Sequence, residues 1–154
     1  MIGPLTASKK LELGLRYFIA SVLLLTGIGK LLDVPGFIQV IDTYKIIPTF
    51  LQPAVAVSMV LVELKIAENL FRKINLKINA LAATALHICF TLLATLTLFR
   101  GIEVPNCGCF GVFWARPLTF ITVAEDVFMV GMCVLLLKIL QKKRGPDLKD
   151  DFAQ

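Results

Sequence analysis

Four apolar stretches, each long enough to cross a lipid bilayer as a helix, leave this chain very few folds to choose from. They run over about 13–33, 51–71, 78–99 and 118–140, and a helix needs roughly 20 apolar residues to span the hydrocarbon. None shows the alternation of a strand, which argues against a membrane β-barrel. Only 18% of the 154 residues are charged, where soluble domains carry about 25%, and the mean hydropathy is +0.81. The expected fold is therefore all-α: an integral membrane bundle of four transmembrane helices. An amino-terminal arm over 1–12 and a tail over 141–154, where Gly145-Pro146 interrupts alternating charges, flank it. Lys9 and Lys10 give the first stretch the look of a signal peptide. Its apolar run is longer than a signal core and has no small-x-small site before Lys30, so it reads as an uncleaved anchor.

Basic residues outside the spans give an orientation. Lys9, Lys10, Arg72, Lys73, Lys77, Lys142, Lys143, Arg144 and Lys149 fall on one side, against Lys45, Arg100 and Arg116 on the other. Nine against three places both termini in the cytoplasm by the positive-inside rule. The same asymmetry accounts for the net charge of +5, and since no aromatic residues interleave the basic ones, no nucleic-acid partner is expected.

Between Pro35 and Pro48, Phe37, Val40, Ile41, Tyr44 and Ile47 recur at three and four residues. That period predicts a short amphipathic helix lying in the interface as a lid over the outer mouth of the bundle. Inside the spans, charge needs a partner. Lys65, Glu68 and Arg72 stand three and four apart and can pair along one face. Glu63 lies about 140° round the helix from Glu68, so another helix must serve it. Counting the helical rise inward puts Glu63 and His87 at a common depth of about 18 Å, with Asp126 at about 12 Å, and Arg16 level with Glu68 nearer the inner face. An inner Arg16–Glu68 pair and a midplane layer of Glu63, His87 and Asp126 are the expectations. Threonines accompany His87 and Asp126 at helical spacing, and Lys30 stands one turn from the outer end of the first helix, so Lys30, Glu63, His87 and Asp126 are candidates for a ligand or proton pathway. Cys89 and Cys133 read as small packing residues.

The connection over 100–117 carries the chemistry. Cys107-Gly108-Cys109-Phe110-Gly111 puts two sulfurs on either side of a residue with no Cβ, free to take the turn that brings them together. A disulfide closed over so short a ring departs from relaxed geometry and is easily reduced. Arg100 and Arg116 flank the pair and favour a thiolate. Phe110, Phe113 and Trp114 belong at headgroup level. By the orientation above, the loop faces the outside, which in a bacterium is the periplasm, where disulfides persist.

The Gly27-x-x-Lys30-Leu31-x-Asp33 ending of the first helix, the lone Glu63 and above all Cys107-Gly108-Cys109-Phe110-Gly111 before the fourth helix resemble the DoxX/MauE family of small four-helix membrane proteins, over about residues 11–140. The resemblance implies a protein of the bacterial inner membrane, working in periplasmic disulfide formation beside a thioredoxin-like or multi-disulfide partner, with a quinone as a candidate electron acceptor. In logic this is similar to DsbB and vitamin K epoxide reductase, which use a Cys-x-x-Cys and a second cysteine pair; here there is one Cys-x-Cys and no second outer pair. Cys107 and Cys109 would be the reacting residues, with Gly108, Gly111, Arg100 and Arg116 supporting the thiolate or the loop. The alternatives are a non-catalytic assembly factor or anchor for a periplasmic redox or substrate protein, and a small-molecule carrier whose midplane acids bind cargo. A metal site is not expected, because one histidine leaves Cys-x-Cys short of soft ligands.

Overall fold

The structure, a computed structural model, describes residues 7–142. The first six residues of the expected arm and residues 143–154 of the expected tail lie outside the described residues. Among the described residues five α-helices form: α1 (Ala7–Leu31), α2 (Val34–Thr43), α3 (Gln52–Phe71), α4 (Leu76–Phe99) and α5 (Phe120–Lys142). All but α2 are long and apolar enough to cross a membrane, counting with α3 the short turn Thr49–Leu51 that leads into it. The fold is the all-helical bundle that the four stretches predict.

Helix α1 begins at Ala7, inside the expected arm. Lys9, Lys10, Leu11 and Glu12 are strong helix formers with no breaker among them, so the helix runs on beyond the apolar stretch. At its other end Asp33 stops it and starts the next one. The Asp33 carboxylate accepts from the Gly36 backbone N–H at 2.9 Å, and Pro35 occupies the first turn of α2, a pairing of cap and proline that fixes the direction of the lid.

Within the bundle α1 packs along α3 and α4 along α5, and the two pairs meet at looser seams, α1 against α5 and α3 against α4. The tight contacts are made by small residues: Ala20, Ala67 and Ala83 are fully buried, which lets helix backbones approach where no hydrophobic drive exists between apolar surfaces in lipid. One core, built on Leu15, Ile19, Leu23, Leu70 and Leu136, fills the end of the bundle that carries the termini of the described chain. A second, built on Phe37, Val40, Ile41, Tyr44, Val104 and Leu118, fills the end that carries the cysteine loop. The lid helix thus sits down onto the bundle, with its apolar stripe forming much of that second core.

Charge at the terminal end is arranged differently from the expected Arg16–Glu68 pair. Glu68 is half exposed and bonds Lys65 at 2.9 Å and Arg72 at 2.6 Å, the two neighbours its own helix face offers at lowest entropic cost. Arg16 turns inward, 2% exposed, with its guanidinium over the Tyr17 ring at 4.9 Å and, among the described residues, no hydrogen-bond partner for Nε and Nη1.

Candidate active site: a cysteine pair beside a cavity

Two glycines make the cysteine loop possible. Gly108 and Gly111 both adopt φ of +75°, a region that residues with a Cβ enter at a cost of roughly 1–2 kcal/mol. A Cβ on Gly111 would run into the Gly29 carbonyl, and one on Gly29 would run into that of Phe110. The loop is therefore seated backbone to backbone on the end of α1. Gly111→Ala is expected to lift it off and to lower thermal stability by about 2 kcal/mol or more, measurable as a fall in Tm in detergent; an unchanged Tm would show that the seat is not needed.

The rest of the loop is tied from three sides. The Cys107 N–H donates to the Arg116 carbonyl at 2.7 Å, the Asn106 side chain accepts from the Gly108 N–H at 3.0 Å, and the Tyr44 hydroxyl of the lid donates to the Cys107 carbonyl at 2.7 Å. The Tyr44 phenol is pushed above its ordinary range, chiefly by burial and then by the two cysteines. Arg100 is placed otherwise than its position beside the motif implies. Its guanidinium bonds the carbonyls of Tyr44 at 3.2 Å and Lys45 at 3.5 Å, so it clasps the lid to α4 and is absent from the residues around the sulfurs.

Cys107 and Cys109 are thiols here, their sulfurs 2.9 Å apart and joined by a hydrogen bond. That bond splits their acidity. Cys107 falls below the usual thiol range, to about 7, because the neighbouring thiol donates to its sulfur; burial opposes this and Arg116 adds a smaller lowering. Cys109 is pushed well up, by the same bond and by its deeper burial. Ionisation of either sulfur raises the other, so the two pKa values belong to the pair.

Both sulfurs open onto a cavity of ≈ 460 Å3 at the α1–α5 seam. Lys30, Glu63, His87, Asp126 and Arg116 line the same space, between apolar walls that include Leu23, Phe90, Phe110 and Met129. A smaller space of ≈ 80 Å3 beneath the lid shares Lys30, Asp126 and both cysteines and adds Gly108 and Tyr44. Ile121 and Phe128 of α5, 69% and 61% exposed, stand at the rim of the larger cavity, so it meets the lipid-facing surface of the bundle.

At the floor of the cavity stands an ion pair between helices. Lys30 Nζ lies 2.6 Å and 2.8 Å from the two oxygens of Glu63, Thr26 bonds the same carboxylate at 3.3 Å, and both charged residues are 3% exposed or less. The ammonium also sits 5.6 Å from the ring centres of Phe37 and Phe90, a geometry in which aromatic faces stabilise a cation. Lys30 is thus an interior residue and does not reach out to the headgroups. Gly27 lets α3 come close enough for the pair, since a Cβ there would meet the Leu64 side chain at 2.8 Å. The threonines at helical spacing around His87 bond carbonyls of their own helix, Thr84 to Ala80 at 2.7 Å and Thr91 to His87 at 2.8 Å, and His87 alone of this stripe lines the cavity. Cys133 is fully buried, and Cys89 is on the outer surface.

Comparison with known proteins decides the family. The profile described as "Methylamine utilisation protein MauE" matches residues 8–139. The chain belongs to the MauE family. A methylamine utilization protein MauE of Paracoccus denitrificans is 25% identical over 122 residues, which cover 79% of this chain and 66% of that protein, just under two thirds of its length. No solved structure matches the chain. The MauE match spans all four membrane helices and the cysteine loop together, so the cavity and the sulfurs that open onto it belong to one family unit and not to an appended segment.

Proposed function

We propose that this MauE-family protein is a membrane thiol–disulfide oxidoreductase, in which Cys107 and Cys109 exchange a disulfide with a thioredoxin-like or multi-disulfide protein on the outer side of the bacterial inner membrane. The observation that carries the reading is the pair itself: two thiols in contact, one acidified by the other, between a half-buried loop surface and a polar-floored cavity. A low-pKa thiol beside a second thiol is what disulfide exchange needs, because the thiolate is the attacking and leaving species. The count of basic residues supports an orientation with both termini in the cytoplasm and the loop in the periplasm.

The cavity fits a quinone as the electron acceptor. Its walls are apolar, its rim meets the lipid-facing surface, and Lys30, His87 and Thr122 supply polar contacts for ring carbonyls at one end. A quinone bound there supplies a sink for two electrons and two protons. The protein's part is to hold the ring against the sulfurs, to keep water out with Phe90, Phe110 and Phe128, and to keep a cation beside the carbonyl.

Redox titration tests the reading. In nanodiscs, equilibrated with thiol buffers and counted by a mass-tagged maleimide, Cys107 and Cys109 are expected to titrate together as a two-electron couple between about −320 and −120 mV, the span of cellular thiol couples. A pair inert across that span, or one labelled by an impermeant maleimide only from the cytoplasmic side, would rule the proposal out.

A further inference from the structure

Glu63, Glu125, His87 and Asp126 all line the larger cavity beside the sulfurs, and their partners separate them. Glu63 has both carboxylate oxygens committed, to Lys30 and to Thr26. Glu125 is bonded to Arg116 at 2.8 Å. His87 lines the larger cavity alone, with Nδ1 on the Ala83 carbonyl at 2.8 Å. Asp126 lines both spaces, as the two sulfurs do, and among the described residues no hydrogen bond or ion pair takes its carboxyl. Its charge reaches both cysteines and the Tyr44 hydroxyl.

We propose that Asp126 is the proton-transfer group of the cysteine pair, protonating Cys109 as that sulfur leaves the disulfide and recovering a proton from the second thiol of the partner. This rests on the thiol–disulfide reading above. A partner thiolate attacks the less buried sulfur, Cys107; the Cys107–Cys109 bond breaks and its electron pair goes to Cys109. As the more deeply buried sulfur, Cys109 is a poor thiolate and a poor leaving group, so a proton is needed as the bond breaks, and Asp126 gives it. The partner's second thiol then passes its proton to Asp126 and attacks the mixed disulfide. Cys107 leaves as a thiolate that accepts the hydrogen bond of the new Cys109 thiol, the arrangement of sulfurs described above. The balance is complete: the partner dithiol is oxidised, the protein disulfide is reduced, and Asp126 ends protonated as it began. The other charged or titratable groups around the carboxyl are Lys30 on α1, Tyr44 from the lid, Glu63 on α3, His87 on α4, Arg116 in the loop and Glu125 on α5.

The test is stopped-flow reduction of the oxidised protein in nanodiscs by dithiothreitol, followed by the absorbance of the Cys107 thiolate. Asp126→Asn is expected to slow reduction by at least about 100-fold, the lower range for a positioned acid, Asp126→Glu to stay within about tenfold of the parent, and Glu68→Gln to leave the rate unchanged. After correction for dithiothreitol ionisation, the parent rate falls as pH rises and the donor loses its proton; the Asp126→Asn variant lacks that falling limb. Equal rates and equal pH profiles for parent and Asp126→Asn overturn the assignment, as does a loss that appears in His87→Gln and not in Asp126→Asn. If the oxidised parent is itself not reduced by dithiothreitol, the thiol–disulfide reading fails first.

Discussion

Replacing either partner of the Lys30–Glu63 pair alone, as Lys30→Met or Glu63→Leu, is expected to destabilise the bundle by about 3–5 kcal/mol, while the double variant recovers most of the loss. A single removal leaves one charge uncompensated in a site with almost no access to solvent, the situation in which breaking a buried pair is most damaging. The burial of both side chains, 3% and 1% exposed, and the separation of the two helices that carry them are what put the effect at this size; an exposed pair such as Lys65–Glu68 is screened by solvent and contributes little. The double variant restores apolar packing between α1 and α3 at similar volume, which is often neutral or stabilising. Thermal unfolding in detergent gives the cycle directly: a coupling of 2 kcal/mol or more is expected, and single variants within 1 kcal/mol of the parent would show that the pair is solvated in the membrane. If the double variant is stable yet exchanges disulfides poorly, the pair is retained for what it does in the cavity and not for the fold.

Much of the architecture is legible in the sequence because it is local. The four spans follow from apolar length, the lid from the three-and-four spacing of Phe37, Val40, Ile41 and Tyr44, and the Lys65–Glu68–Arg72 ladder from positions one turn apart. Contacts between distant elements are not local and carry no period. That Glu63 needs a partner on another helix is plain from its angle, but nothing in the spacing names Lys30, 33 residues away. The common depth of Glu63 and His87 is a true signal, since both line one cavity, whereas the equal depth of Arg16 and Glu68 misleads because depth says nothing of which way a side chain turns. Arg100 misleads for the same reason: two residues equally placed beside a motif, Arg100 and Arg116, face the lid and the cavity respectively. The seat of Gly111 on Gly29 and the bond from Tyr44 to the Cys107 carbonyl are invisible in the sequence, although the glycines themselves flag that something close passes by.

The two cysteines should not be interchangeable when each is left alone. Cys109→Ser, which keeps Cys107, is expected to accumulate a mixed disulfide with a soluble thioredoxin-like protein or with glutathione, and Cys107→Ser to accumulate little, a contrast of at least about tenfold in trapped species. The bond between the two sulfurs divides them: the Cys109 thiol is pushed up by that bond and by burial, where Cys107 is drawn down to about 7. A serine at 109 retains a hydroxyl that can donate to the Cys107 thiolate, so the acidity survives in part, whereas a serine at 107 leaves Cys109 buried and protonated. The sign with pH follows. Thiolate is the reactive form, so in the parent alkylation of Cys107 rises as pH increases through about 7 and levels above it, while Cys109, pushed up by the same bond and by burial, stays protonated there. Gel shift after trapping and alkylation rates against pH measure both effects. Equal trapping by the two variants would mean that the partner approaches through the cavity and not over the loop. Abundant trapping by Cys107→Ser alone would reverse the order of attack, and with it the role of leaving group that makes Asp126 necessary.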